Sequence, residues 1–324
     1  MKELFRLEKK PIKGLLWLEW AVLIYALATT IFILFTYTRL HEPGQMLWGR
    51  AQVLLMTLAL WGIYRLLPCR LMVFARVAGQ LIFLSWWYPD TFELNRIFPN
   101  LDHLFATWEQ AVFGFQPALT FCEKCSSAIV SELLSMGYVS YYPMIAAVVL
   151  FYFCFRYEQF LRTAFIIVAS FMCFYVIFIC LPVAGPQFYY QAVGIEQIAQ
   201  GTFPQLGDYF DRLTFDVLNH DLSLPIPGWK QGVFYQLLVE AHNAGERPTA
   251  AFPSSHVGVA TVLLWLAWDA RSRKLFFSLL PLAVLMFFAT FYIQAHYAID
   301  AMAGIVAGTL MYFALRGIYR GDAT

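Results

Sequence analysis

The 324-residue chain contains six histidines, and two of them stand among residues that could do chemistry together. His256 ends the run Arg247-Pro248-Thr-Ala-Ala-Phe-Pro253-Ser254-Ser255-His256, at the start of an apolar stretch. His296 opens His296-Tyr-Ala-Ile-Asp300, at the start of another. Ionisable groups at such positions are costly in an apolar medium and are functional candidates by default. Asp300 follows His296 by four residues, so on a helix the two share a face. A carboxylate there can hold an imidazole in one tautomer and stabilise its cation. Ser254 or Ser255 can cap the helix that follows, whose free N–H groups and partial positive charge suit a phosphate. Arg247 can add a bidentate contact. These are the parts for phosphoryl transfer through a phosphohistidine. His296 would attack phosphorus; His256 would protonate the leaving oxygen and then activate the acceptor. Neither a metal nor a cofactor is called for, because imidazole, guanidinium and helix end supply the charge stabilisation. His41, His103, His220 and His242 have no such company and read as caps or headgroup-level anchors. Glu19, Asp90 and Asp102 read as structural or interfacial.

The elements that must position these parts follow from composition. Hydrophobic residues make up 60% of the chain and charged ones 13%, about half the share in an ordinary soluble domain. A net charge of +1 excludes nucleic-acid binding driven by bulk charge, and the hydrophobicity excludes a disordered chain. A soluble core of this size cannot hide so much apolar surface, which leaves a polytopic membrane protein. Eight segments approach the roughly 20 apolar residues that a span requires: Gly14–Tyr37, Ala51–Leu67, Leu71–Trp87, Met136–Phe155, Thr163–Val183, Thr249–Trp268, Leu275–Ala295 and Tyr297–Leu315. His256 and His296 are forty residues apart, about 60 Å of helix or two crossings, with the basic turn Arg271–Lys274 between them. Both are therefore expected at the same membrane surface.

Eight crossings put both termini on one side, with fifteen of the 22 lysines and arginines. This bias assigns the termini to the cytoplasm and the two histidines to the outer face of the plasma (inner) membrane. The first span is too long for a signal-peptide core and reads as a retained anchor. Two outer segments are long: Tyr88–Ser135 mixes aromatics with acids, as amphipathic helices in the interface do, and Ala184–Pro248 reads as ordered and functional. Cys154, Cys173 and Cys180 read as small apolar packers within spans. Cys122 and Cys125 form a C-x-x-C with no second pair to complete a zinc site, which leaves a local disulfide open. The expected fold is all-α, a polytopic membrane helical bundle with outer-face amphipathic helices. Residues 1–135 would hold the N-terminal spans and amphipathic segment, and 136–324 the catalytic membrane domain. Nothing in the sequence fixes the oligomeric state.

Arg247-Pro248, Pro253-Ser254-Ser255-His256 and His296-x3-Asp300 together resemble the three-part signature of the type-2 phosphatidic acid phosphatase superfamily, K-x6-R-P, P-S-G-H and S-R-x5-H-x3-D. The resemblance covers roughly the C-terminal half. It implies a six-helix core, with the second-motif histidine, His256, as general acid and the third-motif histidine, His296, as nucleophile. The departures are informative. Glu240 stands at the family lysine, Ser255 at the glycine, and Ala289 and Thr290 at the Ser-Arg pair. Two of three phosphate-binding cations are thus missing. A phosphomonoester carries nearly two negative charges and a diester one, so the poorer site fits a diester. In this the chain is similar to the sphingolipid-synthase branch, especially inositol phosphorylceramide synthases, and Pro182-Val-Ala-Gly-Pro186 looks like part of that pattern. Lys230 is a candidate replacement cation. The resemblance implies a transferase that moves a phospho-headgroup from a phospholipid to a lipid alcohol, with membrane lipids rather than nucleic acid as partners. The rivals are a lipid phosphate phosphatase with water as acceptor and a non-catalytic lipid transporter or scaffold.

Overall fold

The computed structural model of the chain describes residues 4–125, 127–212 and 222–322, so Lys2 and His220 lie outside the described residues. Among these the fold is helical, with one isolated antiparallel bridge between Leu7 and Cys69. The helices are α1 Trp17–Thr36, α2 Pro43–Leu66, α3 Arg70–Asn95, α4 Asp102–Phe113, α5 Pro117–Lys124, α6 Ala128–Val139 and α7 Tyr141–Phe155. They continue with α8 Tyr157–Cys180, α9 Pro186–Val193, α10 Ile195–Ala199, α11 Val233–Gly245, α12 Ser255–Asp269, α13 Arg273–Tyr292 and α14 Ala298–Ile318.

Among the described residues α1, α2, α3, α8, α13 and α14 are long and apolar enough to cross a membrane. The pair α6 and α7, bent by 48°, makes a seventh crossing if taken as one span. The remaining expected span is α12, whose 15 residues cover only about 22 Å. The chain is thus a multi-pass membrane protein, close to the eight-span bundle expected. Exposed Ile24, Leu27, Leu34 and Phe35 on α1 illustrate the consequence: in this class of protein, apolar side chains facing outward meet lipid.

The chain divides into two compact units: Met1–Asp90 with Val149–Cys173 and Met311–Thr324, and Thr91–Val148 with Phe174–Leu310. In the first, two ion pairs are buried within spans. Arg76 donates to both carboxylate oxygens of Glu19, at 2.8 and 2.6 Å, and Glu19 also accepts the Leu16 N–H that opens α1. Arg50 grips Asp90 in a two-pronged contact at 2.9 and 2.6 Å and holds the Thr29 hydroxyl. Arg50 and Arg76 are therefore interior charges rather than flanking ones; without them the terminus-side bias in lysine and arginine persists, at fourteen against six. The structural reading of Glu19 and Asp90 agrees with this pairing. Cys154 and Cys180 differ from expectation: both are exposed, so they pack no core. Cys122 and Cys125 are free thiols.

In the second unit the two long segments between spans fold as α4–α6 and α9–α11. On α4 the residues at spacing i, i+3, i+4 and i+7, Asp102, Phe105, Ala106 and Glu109, form one buried stripe. Phe105 and Ala106 join Val183, Tyr189, Tyr190, Val257, Tyr297 and Ala301 in a core cluster. Leu134, Leu238, Ala289 and Tyr292 form a second.

Breaking a buried ion pair on one side strands a charge, whereas removing both charges does not. Arg76→Leu should therefore cost about 3–5 kcal/mol in a denaturant titration in detergent, and Glu19→Leu/Arg76→Leu should recover most of that loss.

Candidate active site

Two strained turns and one helix start build the site. The first turn links α13 to α14 and carries His296. Its Gln294 adopts φ of 64°, a left-handed conformation unusual for a residue with a side chain. The Gln294 carbonyl accepts the Gln187 N–H at 2.8 Å, and the His296 N–H donates to the Thr290 carbonyl at 3.1 Å. The second turn precedes α12. Its Ala250 has φ of 67°, and the Ala251 N–H donates to the Val183 carbonyl at 3.0 Å. Non-glycine residues forced into such conformations cost of order 1–3 kcal/mol each and collect at functional sites. Gly185 lies against both turns at φ of 94°. A Cβ there would sit 2.5 Å from the Ala295 carbonyl oxygen, so only glycine fits.

Close helix packing holds the turns in register. A Cβ on Gly304 of α14 would lie 2.6 Å from the Ser254 carbonyl oxygen, and Gly308, one turn on, meets the backbone of Gly258 on α12. This small-xxx-small pair lets the two backbones touch. The Ser254 N–H then reaches the Asp300 carbonyl at 3.0 Å.

The result brings His256 and His296 together, with ring centroids 5.8 Å apart and planes at 68°. His296 Nδ1 lies 2.7 Å from the Ala251 carbonyl oxygen. A carbonyl can only accept, so Nδ1 carries the proton and the Nε2 lone pair is left open. Asp300 Oδ2 is 3.9 Å from the same nitrogen, outside hydrogen-bond reach, and accepts the Tyr297 N–H at 2.8 Å instead. The expected tautomer-fixing contact is thus made by a backbone carbonyl. Asp300, fully buried, reaches back to cap its own helix.

His256 is held differently. Its Nδ1 has no hydrogen-bond partner among the described residues, and its ring lies between Tyr138, stacked at 4.5 Å and 25°, and Tyr141 at 4.4 Å and 39°. Ser254 is the N-cap of α12 and accepts the Val257 N–H, which commits its hydroxyl to the fold. Ser255 and His256 open the helix, where backbone N–H groups lack an intrahelical acceptor. Arg247 is half-buried in the approach to that helix and donates to the Glu246 carbonyl at 2.9 Å. Glu240 is exposed, Lys230 is exposed, and Ala289 and Thr290 are buried; at the departed family positions no cation enters the site.

Two acids on α4 complete the support, and sequence reasoning missed one of them. Asp102 accepts from Ala184 N–H, Gly185 N–H, Asn100 Nδ2 and the Tyr297 hydroxyl, all within 3.0 Å. Glu109 accepts the Ile299 N–H at 3.1 Å, at the N-terminus of α14. Burial pushes the Glu109 carboxyl up to about 8, against the pull of the Ile299 and Ala298 amides. Burial also raises Asp102, opposed by its four donors. The signal for both was two acids at the ends of an apolar i, i+3, i+4, i+7 stripe. Nothing local marked Tyr138 and Tyr141, which lie more than a hundred residues from His256.

Burial lowers His296 to about 4, with the Ala251 carbonyl pulling the other way. The ring is therefore neutral through the physiological range. As pH falls from about 6.5 toward 4 the unfolded chain takes up a proton that the folded one refuses, so stability falls over that window. Histidine-labelled NMR of the ligand-free protein should show the His296 ring titrating near pH 4, with the proton on Nδ1 above it; a midpoint near 6.5 would contradict this burial.

Comparison with known families matches residues 103–314 to the PAP2 superfamily, a stretch that begins in α4 and contains both histidine turns. No curated protein and no solved structure matches the chain. The family match covers well over half of the sequence, and the chain belongs to the PAP2 superfamily of membrane phosphatases and phosphotransferases.

Proposed function

We propose that the chain is an integral membrane phosphotransferase that moves a phospho-headgroup from a phospholipid to a lipid alcohol, in the manner of an inositol phosphorylceramide synthase. The observation that carries this reading is the Ala251 carbonyl on His296 Nδ1, which leaves Nε2 as a nucleophile beside His256. Nε2 attacks phosphorus and the bond from phosphorus to the lipid oxygen breaks. His256 gives its proton to that oxygen. In the second step His256 takes the proton of an incoming hydroxyl, which attacks phosphorus and releases His296. The α12 N-terminus and Arg247 are assigned to the phosphoryl oxygens, with the Ser255 N–H as one donor; Ser254 acts through its cap. Asp300 is assigned a positioning and electrostatic role at 3.9 Å.

Choice of a diester donor rests on the missing cations. Two of the family's three basic positions hold Glu240 and Thr290, and the dianionic headgroup of a phosphomonoester would find less compensation here than a monoanionic diester. The tyrosine pair on His256 supports its proton-transfer role by holding the ring in one plane beside His296. The site is assigned to the outer face of the plasma membrane and both termini to the cytoplasm, on the lysine and arginine bias.

The purified protein given phosphatidylinositol and ceramide should form a new phosphosphingolipid, and given phosphatidic acid should release little phosphate. The reverse pattern would make it a phosphatase, and no turnover of either would favour a transporter or scaffold. His296→Ala should lower turnover by about 10³-fold or more. Tyr138→Leu should lower kcat by freeing the His256 ring, while Tyr138→Phe, which keeps the aromatic face, should restore it.

A further inference from the structure

A cavity of about 660 Å³ lies in the first unit, far in sequence from both histidine turns. Its walls come from the N-terminal segment 6–12, the start of α3 at Arg70, the start of α8 at Tyr157 and Glu158, and the chain after α14 at Asp322. The N-terminal segment is not a loose tail. Leu7 bridges to Cys69, the Glu8 N–H donates to the Pro68 carbonyl at 2.8 Å, and the Leu71 N–H donates to the Leu4 carbonyl at 3.1 Å. The strap so formed fixes the positions of Arg6, Lys9 and Lys10 across from Arg70.

The charge balance in the cavity favours an anion. Its acids are Glu8, Glu158 and Asp322. Glu8 accepts the Tyr64 hydroxyl at 2.6 Å and the Tyr157 hydroxyl at 3.3 Å. Asp322 accepts the Trp17 N–H at 2.8 Å and the Tyr319 hydroxyl at 2.6 Å. Two of the three carboxylates are therefore turned to neutral donors in the protein. Burial, the largest influence on Asp322, raises its carboxyl above the usual range. On the basic side, Lys9 and Lys10 are exposed and make no ion pair among the described residues. Arg70 stands over the Tyr157 ring at 4.3 Å, which orients its guanidinium without neutralising it.

We infer that this cavity is a second lipid site, which takes the phosphate headgroup of an anionic phospholipid between Lys9, Lys10 and Arg70. The apolar neighbours argue for a lipid over a soluble phosphate. Leu7, which lines the cavity, and Phe5, two residues before it, are both exposed large hydrophobic side chains. Apolar groups beside paired lysines are the pattern that binds acyl chain and headgroup together.

The test is native mass spectrometry of the full-length protein in detergent, titrated with phosphatidylglycerol, phosphatidylcholine or glycerol 3-phosphate. Phosphatidylglycerol should bind, and Lys9→Glu/Lys10→Glu should weaken it by about tenfold or more. His296→Ala and Lys13→Glu should leave that binding in place; the first separates it from the histidine turns and the second from general surface charge. Thermal melts of each variant check that the fold is intact. Equal affinity for phosphatidylcholine, equal affinity for glycerol 3-phosphate, loss of binding in His296→Ala, or unchanged binding in the double variant would each overturn the assignment.

Discussion

The hydrogen bond between His296 Nδ1 and the Ala251 carbonyl governs the rest of the site. It joins two turns separated by forty-five residues of chain, and it decides which ring nitrogen carries the proton. A carbonyl is a firmer choice than a carboxylate for this task in a dry setting. It cannot take the proton, so the tautomer is fixed whatever the protonation of the acids around it. It carries no net charge, so it does not hold His296 as a cation. The lowered basicity of His296 follows from burial and leaves its open nitrogen available. What remains is to keep Ala251 and His296 in place, and most of the second unit serves that end. Gly185 fills the gap between the turns, the Gly304 and Gly308 surface brings α14 against α12, and Asp102 and Glu109 tie down the neighbouring amides.

Burying those acids is costly, and the arrangement shows how the cost is offset. Among the described residues Asp102 has four donors and no cation; Glu109 has helix-end amides and a carboxyl pushed up to about 8. The first unit solves the same problem with full ion pairs, Glu19 with Arg76 and Asp90 with Arg50. The contrast is physical. Paired charges inside spans compensate each other, so neither is left buried alone. Near His296 the carboxylates are held by backbone amides, side-chain donors and helix ends instead.

Much of this was legible in the sequence. The spans followed from runs of apolar residues, and the forty-residue separation of the histidines on one surface followed from helix rise alone. The P-S-S-H and H-x3-D groups marked the two turns, and Ser254 acts as the cap expected. The tautomer-fixing partner was not legible, because a backbone carbonyl has no residue type to betray it and Ala251 looks like filler. The aromatic bracket on His256 is a long-range contact between the α6–α7 bend and α12, which local patterning cannot report. The shortness of α12 was hidden by the apolar residues Ala250 and Ala251 before its cap, which extended the apparent span although they belong to a strained turn. Glu109 was passed over because amphipathic segments with acids look like surface, and only its seven-residue spacing from Asp102 betrays the buried stripe.

The central claim is that Nε2 of His296 becomes the covalent carrier of the phospho-headgroup. It is tested most directly by quenching the enzyme in turnover with a labelled phospholipid donor, then mapping the labelled peptide and assigning the bonded nitrogen by phosphorus NMR. The account predicts label on the peptide containing His296, bonded through Nε2 and absent in His296→Asn. Label bonded through Nδ1, on His256 or on another residue would contradict it.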